Sequence, residues 1–160
     1  MDWARELGHN LAALRIASAV PLGPISERRH LILQLLPQVA GAGLLEDDVA
    51  GRAWSALANI AFKQSDWQFG IDVAQRAAES SRRAGLSVHE AWGRLLEAML
   101  QWGDGNPVAV DNILQPLEAT FRRLGDEVGL GYALWVFVAA SAGPRMRSFN
   151  GGRGRFAAPR

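Results

Sequence analysis

Two stretches of the chain carry the same pattern 40 residues apart: SSRRAGLSVHEAW spans residues 80–92 and TFRRLGDEVGLGY spans residues 120–132. The shared features are an Arg-Arg pair, a glycine two positions later and an aromatic residue: Arg82-Arg83 aligns with Arg122-Arg123, Gly85 with Gly125, and Trp92 with Tyr132. A period near 40 that holds two helices is typical of α-solenoids, in which each unit buries its apolar face against a neighbour.

The repeat extends towards the N-terminus with an offset of 38 residues, which places Trp54 on Trp92, Leu57 on Leu95 and Ser65-Asp66 on Gly103-Asp104. The stretch WGDGNP at 102–107 is then a turn within a repeat. We interpret Gly103 as the end of one helix, and Asn106-Pro107 as the cap and first turn of the next.

Apolar residues between the turns follow helical spacing, and no stretch alternates apolar and polar residues as a half-buried strand does. The turn signals are regularly placed, at 20–24, 40–43, 64–66, 84–85, 103–107, 124–125 and 142–145. They leave segments of about 15–20 residues, a usual length for globular helices. We therefore predict an all-α fold, an α-α superhelix of about seven antiparallel helices.

The predicted helical domain covers residues 1–142, and a Gly/Arg-rich tail that we expect to be disordered covers 143–160. Within the domain the expected units are residues 3–43, 44–85, 86–125 and a half unit at 126–142. Because the half unit supplies only a first helix, an apolar run would lie near an open end: Leu134, Trp135, Val136, Phe137 and Val138. We expect the chain to be a piece of a longer array, or a truncated gene product, and to self-associate through this helix.

Composition excludes several classes of protein. The 160 residues carry a formal net charge of +1 and no cysteine, which excludes disulfides, thiol catalysis and thiolate zinc sites. The N-terminal MDWARELGHN has no apolar signal core, and the most apolar run, at 130–143, is shorter than the roughly 20 residues of a membrane helix. We expect a cytoplasmic protein that does not enter a membrane.

Catalytic and metal motifs are incomplete. Lys63 lacks the glycines of a phosphate-binding loop, and His89-Glu90 lacks the second histidine of a zinc motif, since position 93 is a glycine. The three histidines lie in different units (His9, His30, His89). Glu46-Asp47-Asp48 reads as a helix start, where acids favour the dipole, and Gly152–Ala157 matches a dinucleotide loop outside the strand–helix context that such a loop needs. We predict no enzyme activity, no cofactor and no metal.

Residues 51–103 carry the features of a tetratricopeptide repeat: Trp54, Leu57 and Ala58, then Ser65-Asp66-Trp67, then Gly70, Ala74 and Ala77. Over residues 3–140 the chain resembles the longer-period repeats of bacterial signalling ATPases of the STAND class, of LuxR-type regulators and of repeat-bearing nucleotide cyclases. The resemblance implies a sensor or interaction module that accompanies an effector domain.

Such an array would bind a protein or peptide partner on a concave face lined by the first helix of each unit. The repeat phase selects five candidate contact residues: Asn59, Lys63, Arg94, Glu97 and Gln101. The recurring aromatics favour inter-helix packing over a ligand cage, and the recurring arginine pairs favour a helix-end role over an anion-binding ridge.

A nucleic-acid-binding protein is the alternative hypothesis. The tail contains two phenylalanines, no acid and five arginines: Arg145, Arg147, Arg153, Arg155 and Arg160. Arginine attracts phosphates and aromatic rings stack on bases. Composition favours a disordered end over this role, so nucleic acid is not the partner that we expect.

Overall fold

The structure, a computed structural model, describes residues 2–20 and 23–142, with backbone alone for residues 2–7. This part of the chain is all-α and contains no strand. Its seven helices are α1 Asp2–Ala19, α2 Ile25–Gly41, α3 Asp47–Gln64, α4 Trp67–Arg83, α5 Ser87–Asp104, α6 Pro107–Leu124 and α7 Glu127–Ser141. The predicted class and helix number are confirmed, and the predicted disorder of the tail concerns residues outside the described part.

Neighbouring helices pack in sequence order, and the odd-numbered helices also contact one another, α1 with α3, α3 with α5, and α5 with α7. Linkers of two or three residues join the helices from α3 onwards, and such short linkers reverse the chain direction. The most extensive contacts join α4 to α3 and α5, and those of α6 with its neighbours are smaller.

The same turn geometry ends five helices in succession. In each, a residue with positive φ follows the helix, and the next two amide groups donate to carbonyls of the last turn, as in the Schellman motif. The residues with positive φ are Gly43, Ser65, Gly85, Gly105 and Gly125. Since glycine has no Cβ, it accepts this conformation without strain, which is why the glycine signals in the sequence predicted the helix ends.

The turn after α5 corrects one sequence interpretation. The helix continues through Gly103 to Asp104, and the left-handed residue is Gly105. A side chain on Gly103 would collide with Trp67, since an added Cβ would lie 2.6 Å from the ring, so this glycine serves helix packing. Asn106 caps α6 by accepting from the Ala109 amide at 3.2 Å, as expected. In conformation Ser65 matches Gly105, which makes the period here 40 residues; the offset of 38 was wrong.

Two clusters of buried apolar side chains form the core, and α5 contributes to both. The first joins α1 to α5 and includes Leu57, Val73 and Leu100. The second joins α5, α6 and α7 around Leu95 and Phe121. Among the described helices, none is both long and apolar enough to cross a membrane.

Candidate partner-binding groove

Two grooves recur in the structure with the 40-residue period. The first lies between α3 and α4, has a volume of about 370 Å³, and is lined by Trp54, Asp72, Arg76, Ser80 and Arg83 among others. The second lies between α5 and α6, has a volume of about 430 Å³, and is lined at the equivalent positions by Arg94, Asn112, Pro116, Thr120 and Arg123. The two grooves are therefore copies that differ in side chains.

The first groove is occupied by its own ion pairs. Arg83 donates to Asp47 at 2.8 Å and to Glu79 at 3.3 Å, and the bond with Asp47 raises the pKa of the Arg83 guanidinium. Arg76 pairs with Asp72 at 3.0 Å and lies 5.2 Å from the ring centre of Trp54. Both arginines of this groove are therefore satisfied within the chain.

The second groove keeps the arginine of this network and loses its acids. Arg123 occupies the position of Arg83, whereas Ser87 stands at the position of Asp47 and an alanine, residue 119, at that of Glu79. Among the described residues Arg123 forms no salt bridge, in contrast to Arg83. An exposed guanidinium at the edge of a groove can bind a carboxylate through two parallel hydrogen bonds.

Arg94 lies on the opposite wall of this groove and is held in place from below. It donates to Glu97 at 3.0 Å, and the other oxygen of Glu97 accepts from Gln75 of α4 at 2.7 Å. Glu97 is only 5% exposed, so both of its oxygens are committed within the protein. The Arg94 side chain remains 46% exposed and can contact a ligand.

The α6 wall carries an additional acceptor because Pro116 lies inside the helix. Proline has no amide hydrogen, so the carbonyl of Asn112 lacks its usual helical donor and faces a groove residue that cannot satisfy it. The hydroxyl of Thr120 donates to the Pro116 carbonyl at 2.8 Å. The floor is apolar, with Ala91, Ile113 and Leu117, and Glu90 completes the rim.

The five contact residues expected from the repeat phase do not form one site. Arg94 and Glu97 come together, but Glu97 is buried and can act on a partner only through Arg94. Asn59 is exposed and donates to the Ser55 carbonyl of its own helix at 3.0 Å. Lys63 is exposed in the last turn of α3, and Gln101 is half-buried in α5. Their role in binding stays a prediction.

The recurring aromatics pack between helices. Trp92 contacts Phe121 and Tyr132 edge to face at 6.0 and 5.7 Å, and its indole donates to Asp126 at 2.8 Å. Trp54 lies under Arg76. With the 40-residue period Trp54 corresponds to Arg94, so the earlier pairing of Trp54 with Trp92 does not describe equivalent positions.

The remaining candidates behave as helix-end and surface groups. Glu46 precedes α3 and the two following aspartates lie in its first turn, as expected. Arg82 pairs with Glu79, and Arg122 pairs with Glu118, whereas Arg123 lines the second groove. The described histidines are exposed, and no cluster of three metal-binding side chains occurs in the described part. Gly152–Ala157 and the tail arginines lie outside the described residues.

Sequence reasoning missed the wall formed by Asn112, Pro116, Thr120 and Arg123. The available signals were a proline inside a helical pattern and an arginine pair that repeats while its acidic partners do not. Comparison with known proteins found no matching family model, no matching curated protein and no matching solved structure.

Proposed function

We propose that the chain is a helical-repeat module that binds an acidic peptide segment of a partner protein in the groove between α5 and α6. It acts by non-covalent binding, without catalysing a reaction, in the cytoplasm. The resemblance to the repeats of bacterial signalling regulators supports this class of function, since such repeats bind partners or receive signals for an effector domain.

The observation that carries the proposal is the contrast between Arg83 and Arg123. Arg83 is neutralised by Asp47 and Glu79 in the first groove. Serine and alanine at the matching positions leave Arg123 without such partners, beside Arg94 on the facing wall. A ligand that brings its own carboxylate restores, between two molecules, the ion pair that the first groove makes internally.

The rest of the groove fits the main chain and apolar side chains of a peptide. The Asn112 carbonyl can accept a peptide amide hydrogen, because Pro116 does not use it. Ala91, Ile113 and Leu117 offer an apolar floor for one or two ligand side chains. Arg94, oriented by Glu97, provides a second cation for an acidic group further along the ligand.

A selection from a display library of random 12-residue peptides tests the proposal. We expect the selected peptides to be enriched in Asp and Glu. Synthetic, fluorescently labelled copies should bind the purified chain by anisotropy, with an affinity that falls as salt is raised because exposed charges are screened.

The decisive variant transfers the acids of the first groove into the second. Ser87→Asp combined with Ala119→Glu should pair Arg123 internally and weaken peptide binding at least about tenfold, the effect of losing roughly 1.4 kcal/mol of a charged contact. Because both changes are on exposed or rim positions, thermal unfolding should show that the fold is retained.

Matched controls come from neighbouring and equivalent arginines. Arg122→Gln lies one residue away on the Glu118 side of α6, and Arg83→Gln changes the first groove. Both should leave peptide affinity unchanged, whereas Arg123→Gln should weaken it. A selection that yields no peptide, or peptides that bind the Ser87→Asp, Ala119→Glu variant as tightly as the original chain, would overturn the proposal.

A further inference from the structure

One face of α7 lacks the helix that covers the equivalent face in the preceding odd-numbered helices. In α3 this face includes Gly51, which touches Ser81 of α4, and Trp54, which lies against Arg76 of α4. Two periods later the same positions are Gly131 and Leu134 in α7. Both are exposed, and an added Cβ on Gly131 would meet nothing within 4 Å.

The glycine is informative because Gly51 marks a close helix contact in α3. A Cβ there would lie 2.7 Å from the Ser81 hydroxyl, so the absence of a side chain permits the approach of α4. Gly131 offers another helix the same close approach at the equivalent position. The open face of α7 is thus shaped for a helix.

The exposed apolar residues of α7 are large, and several are held firmly. Trp135 packs edge to face on Trp102 at 5.7 Å, and Tyr132 packs on Trp92 in the same way. The exposed fractions lie between 43% and 65% for Val128, Tyr132, Leu134, Trp135, Phe137 and Val138. Aromatic rings already fixed in the free protein lose little entropy when they are covered.

The chemistry of the face points to a second copy of the chain. Residues 128–142 contain no charged side chain. An interface with twofold symmetry sets the same patch against itself, so a patch without charge meets no like-charge repulsion. At the border with α6, Glu118 is paired with Arg122.

Area agrees with a modest dimer. Six half-exposed large residues offer roughly 600 Å² per copy, when each contributes about half of the area that such side chains bury. A standard interface takes about 800 Å² from each partner, so this contact lies at the small end of specific interfaces.

We infer that α7 is a self-association surface, on which α7 of a second copy occupies the position that α4 has on α3 and α6 has on α5. The inference is independent of the peptide groove, which lies on the other side of α6 from this face. Dimerisation through α7 leaves Arg123 and Arg94 accessible.

Sedimentation velocity of the full chain over about 1–200 µM tests the inference at the concentrations where a small interface dissociates. The weight-average mass should rise with concentration from 17.4 kDa towards twice that value. Val138→Asp should remain monomeric throughout, because it places a charge in the apolar face, and its exposed position keeps the fold intact. Ile16→Asp, a matched change of an exposed residue on α1, should dimerise normally.

A cysteine readout separates α7 from other contacts, because the chain has no cysteine of its own. Oxidised Leu134→Cys should give a disulfide-linked dimer, whereas Ile16→Cys should not. A full-length chain that stays monomeric at the highest concentration, including one whose residues 143–160 cover α7, overturns the inference. So does a dimer that Val138→Asp leaves unchanged.

Discussion

Ser65 is the one described residue other than glycine with positive φ, at +56°. It ends α3 with the same Schellman bonds that Gly85, Gly105 and Gly125 make at later turns. Side chains other than glycine are strained in this region, because Cβ approaches the following carbonyl oxygen.

Ser65→Gly should therefore stabilise the fold by about 0.5–1 kcal/mol, once the greater freedom of glycine in the unfolded chain is subtracted. Urea unfolding followed by circular dichroism measures the change. Gly105→Ala, the converse substitution at the equivalent turn, should destabilise the fold by a similar amount. An unchanged or lower stability for Ser65→Gly would show that Ser65 is not strained.

The same position explains why part of the fold was predictable and part was not. Glycine at the later turns is required by the backbone, so it marks the helix ends in the sequence. Serine at residue 65 gives no such mark, and aligning it with Gly103 instead of Gly105 shifted the repeat by two residues. The groove was missed as a consequence, because Ser87 matches Asp47 only when the period is 40.

Helix contacts within a hairpin depend on small residues at the crossing points. In α5, a Cβ on Gly93 would lie 2.8 Å from the backbone nitrogen of Ala78 in α4, and backbone cannot move aside as a side chain can. Gly93→Ala should separate α4 from α5 and destabilise the protein by about 1–3 kcal/mol.

Gly8→Ala is the matched control, since Gly8 lies in the exposed part of α1 with nothing within 4 Å of an added Cβ. This change should stabilise the protein by up to about 1 kcal/mol through helix propensity. Differential scanning calorimetry of both variants compares them. A Gly93→Ala variant as stable as the original chain would mean that the α4–α5 contact is looser than described.

Ion pairs at the end of α4 make stability depend on acidity. Hydrogen bonds from Arg82, at 2.8 and 3.0 Å, lower the pKa of the Glu79 carboxyl. A carboxyl whose folded pKa is below its unfolded pKa stabilises the fold above the unfolded value, and this contribution is lost as pH falls through the folded value.

Glu79→Gln should therefore flatten the loss of stability below about pH 5, where carboxyl groups begin to protonate in the unfolded chain. Urea unfolding at a series of pH values measures this slope. Arg82→Gln removes the donor that contributes most to the shift and should flatten the slope in the same way. Slopes identical to that of the original chain would contradict the prediction.

The two core clusters divide the protein into parts of unequal stability. Helix α5 contributes Leu100 to the first cluster and Leu95 to the second, so it holds the two together. The contacts of α4 with its two neighbours are more extensive than those of α6 and α7. In repeat proteins each unit is stabilised mainly by its neighbours.

Hydrogen exchange should therefore show that amides of α6 and α7 exchange through a partial opening that leaves α3 and α4 protected. Phe121→Ala, which empties the centre of the second cluster, should lower the free energy of this opening by about 3–5 kcal/mol. Protection in α3 and α4 should change less. Equal loss in all four helices would show that the helices unfold as a single unit.

The turns at Gly85 and Gly125 share one geometry and lie one period apart, which gives the chain a natural unit of insertion. A second copy of residues 87–126, placed directly after residue 126, would begin and end at matching points of the backbone. Such a duplication would lengthen the array by one hairpin and supply α7 with the same seat one storey higher. An insertion of any other length would rotate every later helix out of its packing register, so genes for such arrays should grow and shrink in steps of 40 codons.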